Sequence, residues 1–507
     1  MGSKLGNDRH FDVCIVGSGG GGAVAAAELA AAGWEVAVIE QGDHVAPGSD
    51  LRDLLPSHET ARARRPDGVW VEYGNPWAAC AVGGGTRFFA GLAWRFRNVD
   101  FDPGTHLAAD ALPTQWPITY DQLRPHYDAV EATIGVARDE SDPLLPAAAP
   151  PVMPAHPYGA RGELLHRAAT SLGLHPFPTP LAVASVATST RKACAELTTC
   201  TYFACPTGAK GGVVERVLDN LLAMPNFSLF VRIKAVALEA MSRDLVHSLR
   251  CVDLISGRPI TVRSRLFILA ANAVQTAALL LRSTSRHAPS GIGNDNDLVG
   301  RGLCFKASQY IRARLDAAQP QTGRHSSIAI SDYYLDDSCP TGLGGMIYDV
   351  GPTDPSDDQD RHLVRLECLL ADQPLARNRV LLDPASTDSL GLPRIVMDYR
   401  PHKLDLARLA HMREHAITIL HAAGARELTT EPIDFTLGSA HLHGTCRFGV
   451  DPRTSVCDPD GRVHTMNNLY IADGSLLPYP GGVNPSLTIQ ALARHVAHRL
   501  LDTHSTA

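Results

Sequence analysis

The 507-residue sequence has few features of proteins that bind nucleic acids, cross membranes or depend on disulfides. Lys and Arg (46) are outnumbered by Asp and Glu (53), so no basic excess is available to neutralise phosphates. Eleven cysteines are too sparse for a disulfide scaffold. The most apolar segment, residues 266–281, is interrupted by polar residues and is shorter than the roughly 20 residues that a bilayer needs. Because the N-terminus also lacks an apolar signal core, we expect a cytoplasmic protein.

Charged residues make up only 20% of the chain, whereas 45% of the residues are apolar. That apolar fraction excludes an intrinsically disordered chain, because it supplies ample surface to bury. At roughly 100–200 residues per domain, the length predicts two to four domains or one large two-part architecture.

A glycine-rich turn lies between two apolar strands near the N-terminus. A predicted buried strand at residues 12–16 enters a G-x-G-x-x-G pattern, an Ala-rich helix follows, and a second strand leads to Glu40. The pattern consists of Gly17, Gly19 and Gly22. Such glycines permit a tight turn, a close approach of the backbone to a pyrophosphate, and close packing of the helix on the strand. The order of these elements predicts a dinucleotide-binding βαβ unit that holds either FAD or NAD.

The C-terminal region contains a second group of motifs, at residues 441–447, 468–475 and 481–490. Asn484 is suited to the N-cap of a helix, and Pro485 is suited to its first position. A helix N-terminus is therefore predicted here, and its partial positive charge could face an anionic cofactor ring.

These motifs together resemble those of the glucose–methanol–choline (GMC) family of flavin oxidoreductases, in the bacterial branch near the pyranose and C-glycoside oxidases. The N-terminal unit, the Val-Gly-Gly-Gly-Thr segment at 82–86, the Trp-Pro-Ile-Thr-Tyr segment at 116–120 and the C-terminal motifs occur in the family's order. They span nearly the whole chain, which makes the resemblance specific.

The resemblance implies an α/β fold, α+β overall, in which a discontinuous Rossmann-like FAD-binding domain adjoins an antiparallel-sheet substrate domain. The implied FAD-binding segments are 11–105, 200–301 and 436–504. The implied substrate-binding domain and its wrapping connection comprise 106–199 and 302–435. Within the latter, strands are predicted at 326–330, 363–369, 379–382 and 394–399. A helix is predicted at 402–421, with Leu406, Leu409, Met412 and Leu420 on its inner side. The acidic segment 354–360 is predicted to be a solvated tip.

The resemblance also implies that an alcohol is oxidised by hydride transfer to flavin N5. The family's catalytic pair corresponds here to His441 and Asn484. A hydroxyl must lose its proton before its carbon becomes a good hydride donor, and histidine suits that role as base. Asn484 would then hydrogen-bond the substrate oxygen. His443 occupies a place that is usually apolar in relatives.

The FAD contacts that the motifs and the resemblance imply lie along most of the chain. They are Gly17, Gly19, Gly22, Glu40, Gly84, Thr86, Val231, Asp473, Gly474, Pro485 and Thr488. Some relatives tether FAD through a histidine just after the glycine-rich stretch, but residues 86–89 contain none. We therefore expect FAD to be bound without a covalent link.

The favoured reaction is oxidation of a secondary hydroxyl of a sugar or glycoside to a ketone, with reoxidation of the flavin by oxygen. Another primary or aryl alcohol is the alternative substrate, and a quinone or cytochrome is the alternative acceptor. A lyase and a non-catalytic flavoprotein are further readings. Four aromatic residues could stack on a sugar ring, although core packing is the commoner use of such side chains; they are Phe88, Phe89, Trp94 and Phe96.

Two patterns raise the question of a metal. Cys194, Cys200 and Cys205 could hold a three-iron cluster, with apolar Leu197 at the place where some relatives have a fourth cysteine. A disulfide or buried structural thiols are the competing interpretations. His441 and His443 share a face of a strand, but further ligands at zinc spacing are missing. No metal site is therefore predicted.

Overall fold

The computed structural model describes eight stretches of the chain and arranges their strands in three sheets. These stretches are residues 10–54, 61–64, 68–73, 79–196, 200–320, 323–351, 358–431 and 441–504. The strands are β1 (Phe11–Val16), β2 (Val36–Ile39), β3 (Ala61–Arg64), β4 (Trp70–Tyr73), β5 (Phe177–Pro178), β6 (Phe227–Phe230), β7 (Ile233–Ala240), β8 (Val246–Asp253), β9 (Pro259–Leu269), β10 (Ala307–Arg314), β11 (Ile328–Ile330), β12 (Gly345–Asp349), β13 (Leu363–Leu370), β14 (Arg379–Thr387), β15 (Pro393–Asp398), β16 (Arg426–Thr430) and β17 (Leu469–Ile471). The helices are α1 (Gly20–Ala31), α2 (Asn98–Phe101), α3 (Tyr120–Ile134), α4 (Ala160–Ser171), α5 (Asp219–Leu221), α6 (Ala273–Arg282), α7 (Lys403–Ala422) and α8 (Ser486–His504).

The largest sheet has a parallel centre in the order β6-β2-β1-β9, and β17 pairs with β9 in the same direction. Its strands are almost fully buried and apolar, as a parallel sheet covered on both faces requires. Strands β7 and β8 continue it in antiparallel fashion from the first half of β9. The carboxyl ends of β1 and β9 meet at one edge, where such a sheet binds its ligand.

The second sheet is antiparallel, in the order β16-β10-β13-β12-β11-β5. The α/β fold with an antiparallel sheet beside a nucleotide-binding sheet is thereby confirmed. Helix α7 packs on β10 and β13. Its Leu409 and Met412 are fully buried as predicted, but Leu406 is 39% exposed, so its predicted inward position is wrong. The buried face of α7 includes Asp405, Leu409 and Met412. Leu406 is one residue after Asp405, and this step around the helix turns its side chain away from that face.

The third sheet joins two distant parts of the sequence, in the order β14-β15-β3-β4. Strands β3 and β4 belong to the predicted FAD-binding segment 11–105, whereas β14 and β15 belong to the predicted substrate segment 302–435. The two sets of segments are thus tied together by main-chain hydrogen bonds, and the division into domains stays a prediction. Most of the acidic segment 354–360 lies outside the described residues, as does Leu197. Within the described residues, no helix is long and apolar enough to span a bilayer.

Candidate active site

The glycine-rich turn between β1 and α1 is packed so tightly that two of its glycines admit no side chain. Gly17 has a φ of +102°, and a Cβ atom there would lie 2.4 Å from the carbonyl oxygen of Ala270. A Cβ atom at Gly22 would lie 2.0 Å from the carbonyl oxygen of Gly17. These two glycines are therefore required by the contact of α1 with the ends of β1 and β9.

Gly19 differs from both, because a Cβ atom there would meet only the Cα of Gly84, at 4.0 Å. The two backbones thus lie in van der Waals contact. Gly84 has a φ of +51° and begins a short 3₁₀ turn through Arg87. Within it, the Thr86 hydroxyl donates to the carbonyl oxygen of Gly83 at 2.7 Å. Gly19 is also the N-cap of α1 and no side chain caps that end, so the first-turn amides are available to a phosphate.

Glu40 fastens the glycine-rich turn to the end of β2. Its Oε2 atom accepts hydrogen bonds from the Ser18 amide (3.0 Å) and hydroxyl (2.7 Å), and its Oε1 atom accepts from the Gly42 amide at 2.8 Å. Burial raises the pKa of the Glu40 carboxyl, although these hydrogen bonds act against it. Its amide donates to the carbonyl oxygen of Phe230, which immediately precedes Val231. The carboxylate has remaining lone pairs with which to accept ribose hydroxyls.

The turn after β17 brings Asp473 and Gly474 against the start of α1. Asp473 Oδ2 accepts from the Thr276 hydroxyl at 2.6 Å, and Oδ1 accepts from the Ser475 amide at 2.9 Å. Burial raises the pKa of Asp473. A Cβ atom at Gly21 would lie 1.8 Å from the carbonyl oxygen of Ala472, so this turn and α1 are in direct contact.

Helix α8 begins immediately after Pro485, whose carbonyl oxygen accepts from the Ile489 amide at 2.8 Å. The hydroxyl of Thr488 is 2.7 Å from that of Tyr127 on α3. The Thr488 side chain is therefore engaged within the protein, and its backbone amide is the group left to face a cofactor. The predicted helix N-terminus is confirmed, but it lies one residue later than predicted, since α8 begins at Ser486 and not at Pro485.

His441 and Asn484, 43 residues apart in the chain, are brought together at the reactive end of the site. The distance between His441 Nε2 and Asn484 Nδ2 is 3.0 Å. The indole nitrogen of Trp94 lies 3.1 Å from Asn484 Oδ1. Since an indole N–H can only donate, it fixes the orientation of the amide, with Nδ2 directed at His441. His441 Nε2 then has to accept, so this nitrogen carries the lone pair that a base needs.

Lys306 supplies a buried charge beside the two histidines. Its ammonium donates to the carbonyl oxygens of Pro480 and Gly481. Burial lowers the pKa of Lys306 to about 7. Burial, with Lys306 as the second cause, lowers the pKa of His441 to about 3, which keeps its imidazole neutral. The pKa of His443 is also held well below its ordinary value by burial and by Lys306.

A polar chain leads from Asn484 into the antiparallel sheet. The Tyr348 hydroxyl, which interacts with the Asn484 side chain, donates to Glu367 Oε2 at 2.6 Å. Glu367 also accepts from the Ser308 hydroxyl at 2.6 Å. Burial raises the pKa of Glu367. The second sheet therefore supplies the polar surroundings of Asn484.

Three of these residues were not predicted from the sequence as parts of the site. Trp94 was considered only as a stacking or core side chain, and Lys306 and Tyr348 were not singled out. Among the other aromatic candidates, Phe88 and Phe96 are buried in the core. No sequence pattern marks Lys306. Its side chain is only 1% exposed, which for a lysine indicates a specific partner, but this burial is visible only in the fold.

The three clustered cysteines line a cavity of about 30 Å³, together with Lys210. All eleven cysteines are free thiols, so the disulfide interpretation is wrong. Hydrogen bonds from Thr207 and from the Lys210 backbone outweigh burial and lower the pKa of Cys205. The cavity has room for about one water molecule, which favours buried structural thiols over a cluster.

The fold and this site define a flavin-binding oxidoreductase. An FAD-binding-domain profile matches residues 10–73, and a GMC oxidoreductase profile matches residues 374–493. The chain is 43% identical to paromamine 6'-oxidase of Streptomyces fradiae over 98% of this chain and 93% of that protein. It is 42% identical to 6'''-hydroxyparomomycin C oxidase of Streptomyces lividus over 99% of this chain and 93% of that protein.

Among solved structures, pyridoxine 4-oxidase from Mesorbium loti has the same fold, with a TM-score of 0.68 at 21% identity over 97% of this chain and 99% of that one. The chain belongs to the GMC oxidoreductase family and is an FAD-dependent enzyme that acts on CH–OH donors. The N-terminus of α1, where Gly19 is the N-cap and no side chain caps the first-turn amides, fits the pyrophosphate of that cofactor.

Proposed function

We propose that the protein oxidises a hydroxyl group of a sugar or aminoglycoside, with His441 as the base and Asn484 as the group that holds the substrate oxygen. The contact of 3.0 Å between the two side chains is the observation that carries this proposal. Both oxidases described above are similar to the chain over nearly its whole length, which supports the substrate class.

In this proposal the substrate oxygen lies between the two side chains. Its hydroxyl donates to the lone pair of His441 Nε2 and accepts from Asn484 Nδ2, whose orientation Trp94 maintains. His441 takes the proton at Nε2 as the carbon becomes a carbonyl. When bound, FAD supplies the acceptor for the hydride that leaves this carbon. The side chains of His441 and Asn484 hold the developing carbonyl oxygen by hydrogen bonds.

Two arguments give different positions for the oxidised hydroxyl. The resemblance to pyranose and C-glycoside oxidases implies a secondary hydroxyl, which would yield a ketone. The name of paromamine 6'-oxidase instead favours position 6, which in a hexose carries a primary hydroxyl and would yield an aldehyde. We favour position 6, because the similarity to that enzyme covers nearly the whole chain.

Anaerobic mixing of the FAD-loaded protein with candidate substrates tests the proposal. Paromamine, a simple methyl hexoside and an aryl alcohol should be compared, and loss of the yellow flavin absorbance should be followed. We expect bleaching with the glycosides, an aldehyde product in carbonyl trapping, and little bleaching with the aryl alcohol. Bleaching by the aryl alcohol alone would overturn the assigned substrate class, and no bleaching by any alcohol would overturn the reaction.

We further propose that oxygen reoxidises the flavin and that FAD is held without a covalent bond. Under air, the turning-over enzyme should release peroxide in step with product, whereas a dehydrogenase would require an added quinone or dye. Acid precipitation should leave a colourless protein pellet and a yellow supernatant. A yellow pellet would contradict non-covalent binding, which rests on the lack of histidine at residues 86–89.

A further inference from the structure

A group of three potential metal ligands lies where α7 meets the turn that follows β11. His411 and His415 are four residues apart on α7, and therefore project from the same side of the helix. His411 Nε2 is 2.8 Å from Asp336 Oδ2 and 3.1 Å from His415 Nε2. The third side of the triangle, from His415 Nε2 to Asp336 Oδ2, is 3.8 Å. Three donor atoms from two elements thus converge on one point.

Hydrogen bonding alone leaves this arrangement incompletely satisfied. The carboxylate of Asp336 is an acceptor, so the 2.8 Å contact requires His411 Nε2 to donate its single proton. That nitrogen then has no lone pair left for His415 Nε2, which lies 3.1 Å away. If His411 Nε2 instead accepts a hydrogen bond from His415 Nε2, it carries no proton. Its contact with Asp336 Oδ2 then joins two acceptors. A cation between the three atoms would use every lone pair at once.

We propose that Asp336, His411 and His415 form a divalent transition-metal site whose donor set suits zinc. Zinc binds imidazole nitrogen and carboxylate oxygen at about 2.0–2.2 Å, so two ligands of a tetrahedron are about 3.3–3.6 Å apart. The observed separations of 2.8, 3.1 and 3.8 Å bracket that value. The side chains retain 17–28% exposure, which leaves a path from solvent and a place for water as fourth ligand.

The surroundings orient two of the three ligands, Asp336 and His415. The Ser338 amide and hydroxyl donate to Asp336 Oδ1, at 2.9 and 2.6 Å, which leaves Oδ2 free to face the histidines. The ring of Tyr333 stacks on that of His415, with centroids 3.8 Å apart. Hydrogen bonds and stacking of this kind hold ligands in place around bound metals.

A bound ion would connect α7 to the turn that carries Tyr334. The Tyr334 hydroxyl interacts with the buried Asp100 carboxylate at 2.7 Å, and it accepts from the Gly482 amide at 2.7 Å. Gly482 lies two residues before Asn484. The ion would therefore stabilise the fold next to the segment that bears the catalytic amide, and we assign it no part in the chemistry.

Zinc titration of the chelator-treated, FAD-loaded protein against a chromophoric chelator tests the site. We expect one zinc ion per chain at micromolar or tighter affinity, and a higher melting temperature with zinc. Cobalt should give the visible absorption bands of a four-coordinate ion. The double variant His411→Ala/His415→Ala should lose about a hundredfold in affinity. His421→Ala is the matched control, because this exposed histidine lies on the same helix.

Equal zinc affinity and stoichiometry in the wild type and the double variant would overturn the proposal. If the double variant does not fold, as judged by FAD content and circular dichroism, Asp336→Asn provides the decision. It retains the shape of the side chain but weakens a charged ligand, so a tenfold or greater loss of affinity is expected. Unchanged binding by Asp336→Asn would reject the site.

Discussion

The two ends of the active site are built in different ways. The nucleotide end consists of backbone in the turn at 17–22, where an added side chain at Gly17 or Gly22 would collide with a carbonyl oxygen. The reactive end consists of side chains from separate segments, among them Trp94, Lys306 and His441. At the nucleotide end, binding depends on the shape of the backbone. At the reactive end, the reaction depends on the polarity and protonation of side chains.

This difference predicts different consequences of substitution. A change at the nucleotide end alters binding of FAD or the fold itself, because the backbone is closely packed there. A change at the reactive end leaves this backbone intact and should alter the rate, because the proposed removal of the proton depends on the lone pair of His441. The four predictions below test this separation, beginning with the largest effect.

Replacing His441 by alanine should remove the base and leave FAD binding intact. We expect the rate constant of anaerobic flavin reduction by substrate to fall by about 10²–10⁴. Stopped-flow absorbance gives the rate, and the ratio of flavin to protein absorbance gives FAD content. His421→Ala, at an exposed position, should match the wild type in both. A His441→Ala variant that is reduced at a near-normal rate would show that another group takes the proton.

Replacing Gly19 by alanine should affect the opposite end. The added methyl group meets only Gly84 Cα at 4.0 Å, so the fold tolerates it, but it lies at the N-terminus of α1, where the pyrophosphate is expected. We expect FAD to bind about tenfold more weakly or worse, as followed by fluorescence during dilution. Gly33→Ala is the control, since Gly33 has a φ of +88° and open space around it. That variant should lose about 1–2 kcal/mol of stability and retain normal FAD affinity.

The same contrast explains what the sequence could predict. The strand, turn, helix, strand and acid of the N-terminal unit are consecutive, so their local pattern determines both β1-α1-β2 and the position of Glu40. His441 and Asn484 were found because each lies in a motif of the family. The resemblance implied that the two residues form a pair. The distance of 3.0 Å between them is visible only in the fold.

The remaining parts of the site depend on long-range packing, which no local pattern records. Trp94 acts on Asn484 across 390 positions of sequence. Lys306 lies in a segment with no motif, and only its burial beside His441 reveals its effect on the pKa. The spacing of His411 and His415 was visible in the sequence, but the third ligand, Asp336, comes from a separate turn.

Replacing Trp94 by phenylalanine tests whether the indole N–H orients the Asn484 amide at the reactive end. The aromatic volume is largely kept, but the donor that orients the Asn484 amide is lost. We expect about a tenfold decrease in the limiting rate of flavin reduction, with little change in substrate dissociation constant, since one hydrogen bond contributes about 0.5–1.5 kcal/mol. Trp116→Phe is the matched control, because the Trp116 indole nitrogen is buried without a hydrogen bond among the described residues. Equal losses in both variants would assign the effect to packing.

Replacing Lys306 by methionine should change the pH dependence more than the maximal rate. Burial is the main cause that lowers the pKa of His441 from 6.5 to about 3, and the positive charge of Lys306 is the second. If the neutral imidazole is the base, as proposed, the wild-type reduction rate should stay constant as the pH falls from about 6 to about 5, a range below the Lys306 pKa of about 7 in which the lysine stays charged. Without the charge, the pKa of His441 rises, and the acid limb of the rate profile should move upward by about one pH unit. The FAD content of the variant controls for the lost hydrogen bonds to Pro480 and Gly481. An unmoved acid limb in a variant that retains its flavin would show that burial alone holds His441 neutral.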